Sequence, residues 1–240
     1  MSSFTGPKKV LVFDTETNGL IPKKNAHTRL PEIGEYPYIL QLSFVVYNLE
    51  TQSIEQMYDE YIKIGPNVVV SSKITDITGI TREMCVNHGI PIEQALTDFY
   101  AAYMGCNRII AHNLTFDKIM IETEITRNND VVTSSIPDIV NLFNDAFNYV
   151  NDIVPYCTML NTKKFCNYMI VGKYGPFLKS PKLIELHEKL FGFTPVNLHN
   201  AKVDTIVCLK CYLKYEHNIE IPEFITLSLR TGVAPVSYIS

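Results

Sequence analysis

Residues 9–20 read KVLVFDTETNGL. Lys9–Asp14 is a short apolar run rich in β-branched residues that stops at a carboxylate and then meets Thr, Asn and Gly. That pattern predicts a buried strand ending at a functional edge. Side chains two apart on a strand share a side, so Asp14 and Glu16 converge on one point. Two adjacent acids repel each other and lose hydration when buried, so a positive species belongs between them. Hard oxygen ligands of this kind suit Mg2+ or Mn2+. An acidic turn closing a strand has the same sequence, and Asp-x-Glu alone does not separate the two.

Working outward, Asn18–Tyr38 carries Gly19, Pro22, Pro31, Gly34 and Pro37 and reads as a long loop, made basic by Lys23, Lys24 and Arg29. Ile39–Asn48 and Glu55–Ile64 are expected as the next strands, stopped by Gly65–Pro66. Thr81 starts a short helix, and Pro91 opens another with Leu96, Phe99, Tyr100 and Tyr103 along one face. Arg108–Ala111 predicts a brief strand, and Asn113 a helix reaching about Arg127. Ile153–Pro155 is a candidate strand, while Asn161–Lys179 lacks a regular period. Pro181 opens a helix through Phe191, and Asn200 opens the last, ending near Glu216. Strands first, then helices interleaved with short strands, predict an α/β fold with a mixed sheet covered by helices on both faces. No linker divides the chain, so residues 1–240 are expected to form one domain, with a core over about 8–216 and a tail over 217–240.

Composition removes several classes. At 46% hydrophobic and 11% aromatic the chain is not disordered, and 11 Gly with 13 Pro exclude collagen or low complexity. No window reaches the roughly 18 apolar residues of a membrane helix, and MSSFTGPKKV at the start has no secretory h-region. An intracellular protein without a membrane partner is expected. Six Cys without tight paired spacings fit reduced thiols, and Cys208-x-x-Cys211 on one helix is a pair of neighbours rather than a zinc site. A net charge of −4 argues against non-specific wrapping of DNA. Four acids committed to cations would nevertheless leave acidic and basic residues equal at 21, so bulk charge does not exclude a phosphate ligand.

Two more acids sit where acids are unusual. In Ala111-His112-Asn113-Leu114-Thr115-Phe116-Asp117, Asp117 lies four residues from Asn113 on a helical face that continues through Met120, Ile121 and Glu124. An aspartate on a core-facing stripe calls for a partner or a cation, unless it merely serves the helix dipole. In His199-Asn200-Ala201-Lys202-Val203-Asp204, Asp204 shares a stripe with Val207, Cys208 and Cys211. His199 would sit about 140° around a continuous helix from Asp204, so it belongs on the entering loop. Imidazole, which ordinarily titrates near neutrality, is the side chain most suited to a general base.

Taken in order, DTETNGL, AHNLTFD and HNAKVD resemble the DEDDh (DnaQ-like) family of 3′–5′ exonucleases, which has a ribonuclease-H-like fold and includes the proofreading epsilon subunit of bacterial DNA polymerase III. Gln41, Thr78-Gly79-Ile80-Thr81 and LIELHEKLFG at 183–192 stand where such exonucleases have similar residues, and the likeness covers roughly 9–215. Thr78 departs from the His that many members carry before Gly-Ile-Thr. The resemblance implies that Asp14, Glu16, Asp117 and Asp204 bind two divalent ions, Mg2+ or Mn2+, and that His199 is the general base. Thr17 matches a position that meets the terminal nucleotide through its backbone, and His112 and Phe116 match positions flanking the bound phosphate and sugar. The implied activity is hydrolysis of DNA 3′ ends, single-stranded or frayed, as in proofreading or repair. RNA ends of the same kind and an inactive nucleic-acid-binding, polymerase-accessory subunit are the alternatives, with a polymerase partner left open. Lys163, Lys164, Lys173, Lys179 and Lys182, interleaved with Phe165, Tyr168, Tyr174 and Phe177, suit either single-strand tracking with base stacking or a solvated loop over core aromatics.

Overall fold

The computed structural model describes residues 8–22, 31–195 and 199–221. Strands β1 (Lys9–Thr17), β2 (Ile39–Asn48), β3 (Ser53–Tyr61), β4 (Arg108–Ala111) and β5 (Val154–Cys157) make a five-stranded sheet in the order β3-β2-β1-β4-β5. The β3-β2-β1 half is antiparallel, and β1, β4 and β5 run parallel. The helices are α1 (Ser72–Thr78), α2 (Arg82–His88), α3 (Ile92–Met104), α4 (Leu114–Arg127), α5 (Asn129–Ser135), α6 (Asp145–Val150), α7 (Thr158–Asn161), α8 (Lys163–Cys166), α9 (Leu183–Phe191) and α10 (Ala201–His217). A separate hairpin, β6 (Met169–Gly172) with β7 (Gly175–Leu178), stands between α8 and α9.

Alternation along the strands divides the core in two. Leu11, Phe13, Leu42, Phe44 and Ile109 face one side and pack with Leu96, Phe99 and Tyr103 of α3 and Met120 and Ile121 of α4. Val10, Val12, Val45, Tyr47 and Ile110 face the other side and pack with Cys208, Leu209, Tyr212 and Leu213 of α10. β2, enclosed by two strands and covered on both faces, is buried along its whole length. Every side chain added to these two layers removes apolar area from water, at about 25 cal/mol per Å2. Rings reinforce the first layer: Phe13 and Phe99 have centroids 4.9 Å apart, and Phe44 stacks on Tyr58 at 4.4 Å. Among the described residues no helix is long and apolar enough to cross a membrane. All six cysteines are buried free thiols, including Cys208 and Cys211.

Most elements follow the sequence pattern, with informative shifts. β1 runs three residues past Asp14, because Thr15 and Glu16 keep pairing with Leu42 and Gln41 of β2 and Thr17 pairs with Ile39 after a bulge. Its pairing with β4 stops at Val12 opposite Ile110. The acids therefore lie inside the strand on one edge and beyond its end on the other. Pro181 precedes α9, whose N-cap is Lys182. Asn113 occupies the cap position of α4 in a left-handed conformation, φ 70°, without a side-chain capping bond. Residues 222–240 of the expected tail, and Lys23, Lys24 and Arg29, lie outside the described residues.

Candidate active site

Parallel strands β1 and β4 stop pairing after Val12 opposite Ile110, and the carboxyl ends of parallel strands are where ligands bind in open α/β sheets. On the α10 side of β1, in line with Val10 and Val12, come Asp14 and Glu16. α10 brings Asp204 to the same place. Ligand oxygens of Asp14, Glu16 and Asp204 all lie within 4.8 Å of one another. Asp117 enters from the other helix layer and is not one of that trio. Its Oδ1 accepts from the Thr15 N–H at 3.0 Å and from the Thr15 hydroxyl at 2.8 Å. β1 has no strand partner at Thr15 on the β4 side, and the Asp117 carboxylate takes the place of one.

Four acids share this space, and burial pushes each of them up. Asp14 is raised well above the usual carboxylate range, first by burial and then by the charges of Asp117, Asp204 and Glu16. Burial, then Asp204 and Asp117, carries Glu16 to about 8. Asp117 rises to about 7 from burial despite the two Thr15 bonds that oppose the shift. Asp204 rises to about 6, also from burial, with the His199 N–H acting the other way. Such a cluster holds protons where isolated acids would be ionised, and a cation placed among them would reverse that. One atom points to the fit: among the described residues Asp204 Oδ1 is buried without a hydrogen-bond partner. An all-oxygen trio with an orphaned buried oxygen suits a hard divalent ion.

His199 is exposed, at φ 71°, on the turn entering α10, and its N–H donates to Asp204 Oδ2 at 3.1 Å. The first turn of α10 is anchored further by Gln41. Its Oε1 accepts the Ala201 N–H at 3.2 Å and its Nε2 donates to Asp59 Oδ1 at 2.8 Å. Thr205 adds a hydroxyl bond to the Ser43 carbonyl at 3.3 Å. Gln41 pairs with Glu16 across β1 and β2, so one strand position ties the two acid-bearing elements together. A polar residue inside the apolar run ILQLSFVV was the signal for this role.

The residues expected to meet substrate are placed unevenly. The Thr17 hydroxyl donates to the Gly19 carbonyl at 2.7 Å, and Thr17 is buried, paired with Ile39 of β2. Phe116 is half-buried against the α3–α4 layer. His112 has both ring nitrogens engaged, Nδ1 with the Thr158 hydroxyl at 2.9 Å and Nε2 with the Pro181 carbonyl at 3.1 Å. Burial lowers its pKa to about 4, so the ring is neutral and ties the segment before α9 to the end of β4. Lys179 is committed to an ion pair with Glu185. The base of the Asn18–Tyr38 loop is closed by Asn18, whose N–H donates to the Tyr38 carbonyl at 3.1 Å and whose Oδ1 accepts the Tyr38 N–H at 2.7 Å. Glu124, read from the sequence only as part of the Asp117 face, pairs with Arg127 at 2.8 Å. Arg127 in turn donates to the carbonyls of Ile33, Tyr36 and Pro37 on that loop.

This fold and acid site define a class, that of nucleases with a ribonuclease-H-like sheet. The RNase_T exonuclease family model matches residues 11–151. The chain belongs to this family of DnaQ-like 3′–5′ exonucleases. It is 29% identical over 141 residues to the PolC-type DNA polymerase III of Caldanaerobacter subterraneus subsp. tengcongensis, a stretch that is 50% of this chain and 10% of that one. With the PolC-type polymerase of Thermotoga maritima the identity is 33% over 93 residues, 31% of this chain and 7% of the other. Among solved structures, E. coli Exonuclease I in complex with a dT13 oligonucleotide superposes with a TM-score of 0.58 at 15% identity, over 88% of this chain and 42% of that one. Exonuclease I from Methylocaldum szegediense gives 0.55 at 16%, over 88% and 41%. The chain thus spans about a tenth of the curated polymerases it matches and under half of these exonucleases.

Proposed function

We propose that the chain is a metal-dependent 3′–5′ exonuclease that releases mononucleotides from DNA 3′ ends, with residues 1–240 acting as one exonuclease domain. The observation that carries it is the oxygen trio of Asp14, Glu16 and Asp204 within 4.8 Å, with Asp204 Oδ1 buried and unpartnered among the described residues. Together with Asp117 these acids would hold two divalent ions, Mg2+ or Mn2+. When bound, such ions make water nucleophilic and offset charge on the leaving oxygen.

His199, exposed at the rim with its N–H on Asp204, takes the proton of the attacking water. The water oxygen forms the new bond to phosphorus, and the bond from phosphorus to the penultimate 3′ oxygen breaks. A positioned base of this kind contributes about 10²–10⁴-fold. Thr17 offers its backbone to the terminal nucleotide and Phe116 flanks the sugar. His112 contributes by fixing the Pro181 segment at the edge of the phosphate site. A single-stranded or frayed DNA end is the substrate favoured by the likeness to an Exonuclease I bound to dT13, and the PolC-type relatives make a polymerase the partner to test.

Asp14→Asn and Asp204→Asn are expected to lose nearly all hydrolysis of end-labelled single strands while remaining folded, and to lose the metal-induced rise in Tm. His199→Ala should lower kcat by about 10²–10⁴-fold and keep that rise. Wild-type protein that leaves DNA and matched RNA strands intact in Mg2+ and in Mn2+ would end the proposal. Faster release from RNA would move the substrate assignment and spare the chemistry.

A further inference from the structure

The β6–β7 hairpin belongs to neither layer of the core. Among the described residues its strands pair only with each other and both faces are open: Met169 and Val171 on one are 57% and 85% exposed, Ile170 and Phe177 on the other 39% and 50%. Tyr174, at the turn, is 95% exposed. A two-stranded hairpin is marginal by itself, and apolar side chains packed on nothing do not stabilise it. The Phe177 ring lies over Gly172, where an added Cβ would come within 2.7 Å, so the glycine provides a flat seat that orients the ring. Lys173 Nζ lies 5.5 Å from the Tyr174 ring centroid, and Lys163, Lys164 and Lys173 have no carboxylate partner among the described residues.

Position adds the second argument. The hairpin closes at its base with the Lys179 N–H on the Tyr168 carbonyl at 2.8 Å. Two residues further on, the Pro181 carbonyl meets His112, which leads directly into the helix that carries Asp117. Leu178 is three residues from Pro181, so the hairpin base lies within about 10 Å of that bond. Aromatic faces and Lys173 on an arm at the rim of a phosphodiester site, with Lys163 and Lys164 on α8 just before it, match a polyanion with flat bases.

We infer that this hairpin is the arm that holds the single strand upstream of the scissile bond, a step that rests on the exonuclease assignment. Tyr174 and Phe177 stack bases without regard to sequence, and Lys163, Lys164 and Lys173 meet phosphates. The chain has no Trp, so Tyr174→Trp carries a single indole. In EDTA, where hydrolysis is off, oligothymidylate should quench that indole, and added salt should weaken the binding. In Mg2+, the double variant Tyr174→Ala, Phe177→Ala should lose about ten-fold or more of its preference for a long strand over a dinucleotide, read as the ratio of kcat/KM values. An unquenched indole, or an unchanged ratio, overturns the arm. So does an indole that in the free protein already emits as a buried group shielded from iodide, because a polypeptide then covers the hairpin. Quenching in a protein that hydrolyses nothing would instead refute the exonuclease assignment, which keeps the two failures distinct.

Discussion

His112 shows how a single residue makes structural bonds that its motif does not announce. AHN before an acid-bearing helix marked it as a neighbour of the substrate, and the fold uses both of its nitrogens to join the end of β4 to the first residue of α7 and to the segment before α9. Replacement by Leu removes the ring from the Pro181 carbonyl, while the Thr158 hydroxyl keeps its bond to the Ala111 carbonyl, and should lower unfolding free energy by about 1–3 kcal/mol in urea titrations. The pH dependence has a definite sign. With a folded pKa of about 4, below its ordinary value near 6.5, His112 binds fewer protons folded than unfolded across that window. Its contribution is complete above the upper limit and is withdrawn as pH falls toward 4. The stability gap between wild type and His112→Leu should therefore narrow on acidification, and a constant gap would show that the ring is already charged in the fold.

At the scale of elements, the acids were readable because a carboxylate on an apolar stripe violates the helical pattern, as at Asp117 and Asp204, and the strands because β-branched runs alternate. What was not readable has physical causes. α1 is built from SKITDIT, whose β-branched residues favour a strand, and is held by Ser71 at its N-cap and left-handed Gly79 at its end. α6 depends on Asn144 capping two N–H groups, one of several asparagines that form no pattern in the sequence. Asn148 serves Tyr103, bonded at 2.7 Å, which only the tertiary fold reveals. The buried contacts of Thr15 with Asp117 and Gln41 with Ala201 span long sequence separations and carry no local signature. Gln41→Leu is the test of the second: with the Ala201 N–H unanswered, the first turn of α10 loosens, and kcat should fall about ten-fold with little change in KM, since about 1.4 kcal/mol of positioning is at stake. An equal loss in an Asp59→Asn protein would trace the effect to the whole Asp59–Gln41–Ala201 chain.

For the whole molecule, the gathered acids set stability against charge. Glu16, Asp117 and Asp204 titrate near 8, 7 and 6, all above their unfolded values, so the folded chain binds more protons than the unfolded one through that range. Metal-free protein should accordingly lose stability as pH rises from about 6.5 to 8, where His112 no longer contributes a slope. Scanning calorimetry in EDTA should show Tm falling across that interval, and Mg2+ or Mn2+ should restore most at the alkaline end. A flat Tm would mean that the carboxyls are already ionised and compensated from elsewhere.

The alternation of β1 has an implication for quality control. Phe13 and Asp14 are adjacent, one facing the aromatic layer and the other the trio. A slip of one place against Leu42 and Ser43 would drive the ring out of its layer and swing both acids into it. Misregistered chains cannot persist as well-packed but silent copies, so turnover assayed on any preparation also counts the fraction of molecules whose central strand is threaded correctly.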